Sequence, residues 1–170
     1  LECRHSVFSI RHRVEGALTI NGTLYLFHNA VGYIEGDRGR SFPRQYAWTQ
    51  CLFPNGSLML SVAEIPLGPI RFTGVIGIVR IGSQEYRLAT YLGARAVSIA
   101  GGSIVVRQGD LQLTASLLER TAYPLHAPSD GQMNRIIREN VCCAARYQLR
   151  CGRKILLELD SPAASFEYEY

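Results

Sequence analysis

Tight-turn sequences recur along this chain, and nearly every segment between them reads as strand. Asn21-Gly22, Pro54-Asn55-Gly56, Gly82-Ser83, Gly101-Gly102, Gln108-Gly109-Asp110 and Gly152 each punctuate it. Asn-Gly is the strongest short hairpin signal, because both central residues of the favoured turn need positive φ. Between the turns, apolar and polar residues alternate. Leu58, Leu60 and Val62 stand against Met59, Ser61 and Ala63, and Leu111, Leu113, Ala115 and Leu117 have polar neighbours. A period of two puts each set on one face of a strand. No segment holds a helical period, and no repeat of fixed length stands out. Strands joined by such short turns pair antiparallel. Closing the meander removes its exposed edges, so the pattern predicts an all-β, antiparallel up-and-down β-barrel of about eight to ten strands.

The turns set the expected strands. Cys3–Ile10 carries Cys3, His5, Val7 and Ser9 on one side; Val14–Ile20 leads into Asn21-Gly22, and Thr23–Asn29 returns. Gln45–Phe53, Ser57–Ile65 and Arg71–Ile81 follow, the last with Gly74 and Gly77 inside, where a curling sheet bends or approaches a neighbour closely. Glu85–Ala100 is broken near Gly93, and Ser103–Arg107 and Leu111–Glu119 come next. Pro124–Asn134 reads as the one long irregular stretch and Ile136–Asn140 as a short helical turn. Val141–Cys151 and Lys154–Asp160 form a last hairpin, and Phe166–Tyr170 is an edge strand or a tail.

Composition narrows the function classes. The 170 residues suffice for one domain, residues 1–170, with a real core, and 47% hydrophobic with 19% charged residues describes a globular chain. The net charge of +4 is carried almost wholly by arginine, Lys154 being the only lysine. Arg11, Arg71, Arg80, Arg107 and Arg146 are scattered rather than clustered, which argues against nucleic acid as a partner. The five cysteines show no CxxC or Cys/His ligand spacing, so no metal site is expected. Adjacent Cys142 and Cys143 point to opposite faces of a strand, and the cysteines read as reduced, mostly buried residues of a cytoplasmic protein. There is no apolar run of membrane-spanning length and no signal peptide. The chain begins at Leu1 rather than Met, as a piece of a longer protein would.

Val31–Cys51 is densest in residues that a plain strand would not choose. It sets Gly32, Gly36 and Gly39 among Glu35, Asp37, Arg38 and Arg40, then runs through Ser41-Phe42-Pro43 into Tyr46, Trp48 and Gln50. Those last three fall two apart and share one strand face. Tyr46 and Trp48 suit a ligand cavity or a filled core equally. His126, between Pro124 and Pro128, sits in a rigid place.

Gly32-Tyr33, Glu35, Gly39, Ser41-Phe42-Pro43, Trp48 and Gln50 resemble the signature of the tocopherol cyclase family. The likeness continues through Ala89-Thr90-Tyr91, Pro124-Leu125-His126-Ala127-Pro128, Gly131, Arg135–Val141 and Ala164–Glu167, and so spans most of the chain. The resemblance implies a lipocalin-like barrel, the C-terminal part of a longer two-barrel protein, with an N-terminal barrel as its intramolecular partner. It implies a hydrophobic small molecule as ligand and closure of a prenylated hydroquinone into a chromanol as the reaction, with no metal and no redox cofactor. One position departs: the family has tryptophan where this chain has Arg38. Facing inward, arginine would repel the cation that an indole stabilises; facing solvent, the change means little.

Such a cyclisation needs a proton for an alkene carbon, apolar walls, and a polar group to hold the phenol. Glu35 and Asp37 are the candidate acids, and they lie on the same side of an extended segment. Tyr33, Arg38, Tyr46, Trp48, Gln50 and His126 are the candidate ligand-binding residues. Three readings stand: a cyclase-like enzyme, a lipocalin-like binding module without chemistry, and a filled barrel that packs against a missing N-terminal domain.

Overall fold

The computed structural model describes residues 3–119 and 122–170. Within them the chain is all-β, with antiparallel strands in two sheets. β1 (Cys3–Ile20) and β2 (Thr23–Gly39) form a long two-stranded hairpin. The second sheet has ten strands. They are β3 (Tyr46–Phe53), β4 (Gly56–Leu67), β5 (Ile70–Ile81), β6 (Gln84–Ala89), β7 (Arg95–Ala100), β8 (Ser103–Gln108), β9 (Leu111–Leu117), β10 (Tyr123–Ser129), β11 (Gln132–Cys151) and β12 (Lys154–Tyr168). The order across this sheet is β6-β5-β4-β3-β12-β11-β9-β8-β7, and β10 adds to the first half of β11. The chain is therefore a meander whose last strand returns to pair with β3.

The turns work as their residues dictate. Asn21 and Gly22 take φ of 50° and 80°, and Asp130 and Gly131 take 50° and 83°, the left-handed pair that a two-residue hairpin needs. Alternation then divides the large sheet into two faces. The inner face carries the core, including Leu58, Leu60, Val79, Leu88, Ile104, Leu113, Tyr147, Leu149 and Phe166. Thr49 and Tyr147 share a 2.5 Å hydroxyl hydrogen bond inside it. A polar pair buried there must be satisfied in this way, since an unmade bond costs about 1–3 kcal/mol. The interior is thus filled by side chains.

The sheet curls until its ends meet, but the ladder does not close as a full barrel would. β6 and β7 do not pair; the chain passes between them through a single 3-10 turn, Thr90–Leu92. The Gln108 side chain spans the gap. It accepts a hydrogen bond from Ala89 N at 3.0 Å and donates one to Arg87 O at 2.9 Å, so one amide side chain stands in for a backbone ladder.

Several elements differ from expectation. Cys3–Ile10 and Val14–Ile20 are one bulged strand, and β2 runs on to Gly39, so only 40–45 of the glycine-rich stretch is irregular. Pro124–Asn134 is not a long loop but β10, a two-residue turn and the start of β11. Pro124 and Pro128 are tolerated because β10 pairs on one side only. Ile136–Asn140 is extended, not helical, since it pairs with both β10 and β12. Phe166–Tyr168 is no edge or tail: it ends β12 between β11 and β3. Cys142 is exposed and Cys143 buried, as adjacent strand residues must be. No helix among the described residues is long and apolar enough to cross a membrane.

Candidate functional site

The outer face of the same sheet builds the site. Register aligns Glu167 on β12 with Trp48 on β3, Ser61 on β4 and Ile76 on β5. The next row sets Tyr46 beside Ala63 and Gly74. Because side chains alternate, the row between them, Ala47, Val62 and Val75, supplies the core. The outward rows floor a cavity of about 780 Å³, roofed by the open end of the β1–β2 hairpin. Arg11 ties that hairpin to the β3–β4 turn, donating to Phe53 O at 3.1 Å and Gly56 O at 2.7 Å. The cavity therefore lies outside the filled interior, between hairpin and sheet.

Its walls are apolar toward Ile65, Pro66, Phe72 and Ile76, with Tyr91 at the rim. The hairpin end is polar. His5 Nδ1 stands 3.0 Å from Asp37 Oδ1, and its Nε2 is 3.2 Å from Glu35 Oε2, within ion-pair reach but out of line for a hydrogen bond. Burial alone would push the imidazole down. The bond to Asp37 and the charges of both carboxyls outweigh it and raise His5 to about 9, so it carries its proton at neutral pH. Tyr33 donates to Glu35 Oε2 at 2.6 Å, and the Cys3 thiol, pushed up to about 11 by burial and by Asp37, points at Asp37 Oδ1.

Facing this end, Glu167 Oε2 accepts a 2.5 Å hydrogen bond from Tyr46 Oη. Burial raises the Glu167 carboxyl to about 7. The Tyr46 bond works against that, and the charges of Glu139, Asp37 and Glu35 work with it. Near neutral pH the cavity thus holds an acid that keeps its proton part of the time. Between the two ends, the Trp48 Nε1–H is buried without a hydrogen-bond partner among the described residues.

The Ser-Phe-Pro segment is held against the β10–β11 hairpin. Ser41 Oγ accepts from Asp130 N at 2.8 Å, Phe42 N donates to Pro128 O at 3.1 Å, and Gly131 N donates to Arg40 O at 2.7 Å. The Arg135 guanidinium donates to Pro43 O at 2.7 Å and Arg44 O at 3.0 Å, and sits 5.9 Å over the Tyr46 ring. Phe42 meets Tyr46 edge-on at 6.0 Å. The segment thereby fixes the ring whose hydroxyl holds Glu167.

Of the sequence-predicted residues, Glu35, Asp37, Tyr46 and Trp48 line the cavity. Tyr33 reaches it only through Glu35. Gln50 shares the face of Trp48 but lies beyond the lining, its Nε2 buried without a partner among the described residues. Arg38 is exposed on the other side of β2 from Asp37, and His126 is exposed on β10; neither lines the cavity. His5, Glu167 and the Ile65–Phe72–Ile76 wall belong to the site and were not predicted.

These groups make stability fall as pH rises. Glu167 has a folded value above its ordinary 4.5, so its ionisation penalises the native state as pH climbs through about 7. His5 is also raised, so its stabilisation is complete below 6.5 and lost as pH climbs through about 9. Discounted for solvent screening, the two effects together are on the order of 3 kcal/mol. Thermal melts at pH 5.5 and 9.5 are expected to differ by roughly 5–10 °C, the acidic sample being the more stable. Equal midpoints would show that neither group is held as described.

No family model matches the chain, and no curated protein or solved structure matches it either.

Proposed function

We propose that the chain is a tocopherol cyclase-like, lipocalin-like domain that binds a prenylated phenol or related isoprenoid in the cavity between hairpin and sheet, and cyclises it with acid assistance. The observation that carries this reading is the cavity's division into an apolar wall and a proton-bearing end. A volume of about 780 Å³ is in the range of small-molecule sites. The isoprenoid lies along Ile65, Phe72 and Ile76. The phenol lies against the Trp48 ring, and Asp37 or Glu35, receiving the proton that His5 carries, passes it to the alkene carbon. The phenol oxygen then closes the ring onto the resulting cation and gives up its proton to a carboxylate, so no net proton is consumed. Arg38 faces away from this chemistry and leaves the cation unopposed. The curled sheet, stitched by Gln108, supports a barrel-like architecture.

The test uses Trp48, the only tryptophan. Titrating the chain with a prenylated hydroquinone in mild detergent, against a detergent blank, should quench its fluorescence saturably. A folded chain that shows no quenching would refute ligand binding at this cavity.

A second reading has its own observation. Leu18, Ile20, Leu24, Tyr25, Leu26 and Phe27, around the hairpin tip, are exposed, and neither edge of the hairpin pairs with a further strand among the described residues. Apolar residues on an isolated hairpin favour packing against more β-structure, as an N-terminal barrel would supply. The two readings are compatible, because the covered tip is remote from the cavity.

A further inference from the structure

The charge of the cavity differs in sign from the charge of the chain. The whole sequence is +4. Yet Glu35, Asp37, Glu64 and Glu167 line the cavity, and among the described residues no arginine or lysine does. Glu64 is paired outside it with Arg71 at 3.1 Å. His5 is left as the one cationic group among the lining residues, shared between Glu35 and Asp37. A lipid site built for carboxylate or phosphate heads presents arginine, lysine or clustered N–H donors. Here the polar end presents carboxyl oxygens on two sides.

We infer that this site also takes an amphiphile with a positively charged head, an alkylammonium, seated between the Glu167 carboxyl and the Glu35–Asp37 pair, and that it rejects anionic amphiphiles such as fatty acids. The inference rests on reading the cavity as a ligand site and adds a rule for the head group: cation before neutral before anion. Three ammonium protons match acceptors converging from β2 and β12. The alkyl chain follows Ile65, Phe72 and Ile76, away from water.

The rule brings a proton linkage. The groups facing Glu167 are Tyr46 from β3, Glu139 from β11, and Glu35, Asp37 and His5 from the hairpin. Burial first, and then the charges of Glu139, Asp37 and Glu35, make the Glu167 carboxyl retain its proton more readily than usual when no ligand is bound. An ammonium placed beside it favours the ionised form and displaces that proton. Cation binding therefore tightens as pH rises through neutrality, and releases a proton.

The experiment titrates the full chain with dodecylammonium, dodecanol and dodecanoate, each below its micelle concentration, at pH 6 and pH 8. Trp48 fluorescence reports binding, and calorimetry in two buffers of different ionisation heat counts protons. Dodecylammonium is expected to bind at least about tenfold tighter than dodecanoate at pH 8, a modest demand for charges this close. Its affinity should rise several-fold from pH 6 to pH 8, with proton release, and Glu167→Gln should abolish that rise. Adsorption to a chain of net charge +4 would favour the anion, so surface electrostatics cannot produce this order. Equal binding of the three amphiphiles, or tightest binding of dodecanoate, would overturn the head-group rule and leave the apolar ligand site standing. Absence of binding by all three would overturn both. The comparison on the unaltered chain decides the matter even if Glu167→Gln fails to fold.

Discussion

Replacing Glu35 and Asp37 together by glutamine and asparagine should lower turnover of a prenylated hydroquinone by at least about a hundredfold, the usual weight of a positioned proton donor. Both side chains reach the cavity from one side of β2, and both contact His5. The amides keep the size and much of the hydrogen bonding, but neither can pass a proton to carbon or restore the one His5 gives up. His5 would also lose the charges that hold it near 9, and with them the proton it carries at neutral pH. Ligand affinity, read from Trp48, is expected to change by no more than a few-fold, because the apolar wall is untouched. Turnover retained within tenfold would remove these carboxyls from the reaction and leave Glu167 as the remaining acid on the cavity. Affinity lost along with turnover would instead assign them to binding.

How the site assembles explains why only half of it can be read from sequence. Tyr46, Trp48 and Gln50 share a face by spacing alone, and Glu35 and Asp37 do likewise. His5 could not be assigned by counting. From Ile20↔Thr23 outward, an unbroken ladder would set His5 opposite Arg38, and only the net slip of three bulges, one on β2 and two on β1, brings it to Asp37. Glu167 was hidden for a different reason. Its position follows from β12 returning to β3, a pairing between residues more than a hundred apart that no local pattern encodes. The β10–β11 hairpin reads from sequence as an irregular stretch, although Asp130-Gly131 is a strong turn pair. Pro124 and Pro128 argue against a strand until β10 is known to pair on one side. The all-β antiparallel class came through because every tight turn joins neighbours in the sheet. The closed barrel expected from the meander does not form in the ladder: β6 and β7 stay unpaired, and only the Gln108 side chain bridges them.

Phe166→Ala is expected to destabilise the fold by about 3–5 kcal/mol, the range for emptying a buried aromatic site. Phe166 is fully buried, packed in the core, and paired across β12 with Thr49 on β3 and Asn140 on β11. The Asn140 side chain donates to Phe166 O at 3.1 Å, so the backbone there is held as well as the ring. The consequence reaches the cavity because strand residues alternate. With Phe166 turned into the core, Glu167 must face Trp48 and Tyr46. A ring removed from beneath β12 frees the strand to shift or twist toward the void, and in the cavity the 2.5 Å bond between Tyr46 and Glu167, one residue along, is the contact to suffer. Phe166→Leu retains most of the volume and should cost less than half as much. Urea unfolding of the two variants measures the first effect, and the pH dependence of their stability through pH 7 measures the second. A loss below about 1 kcal/mol for Phe166→Ala would mean that the interior is loosely packed. A full loss with the Glu167 titration unchanged would mean that core and cavity are independent, and that the acid is positioned by Tyr46 alone.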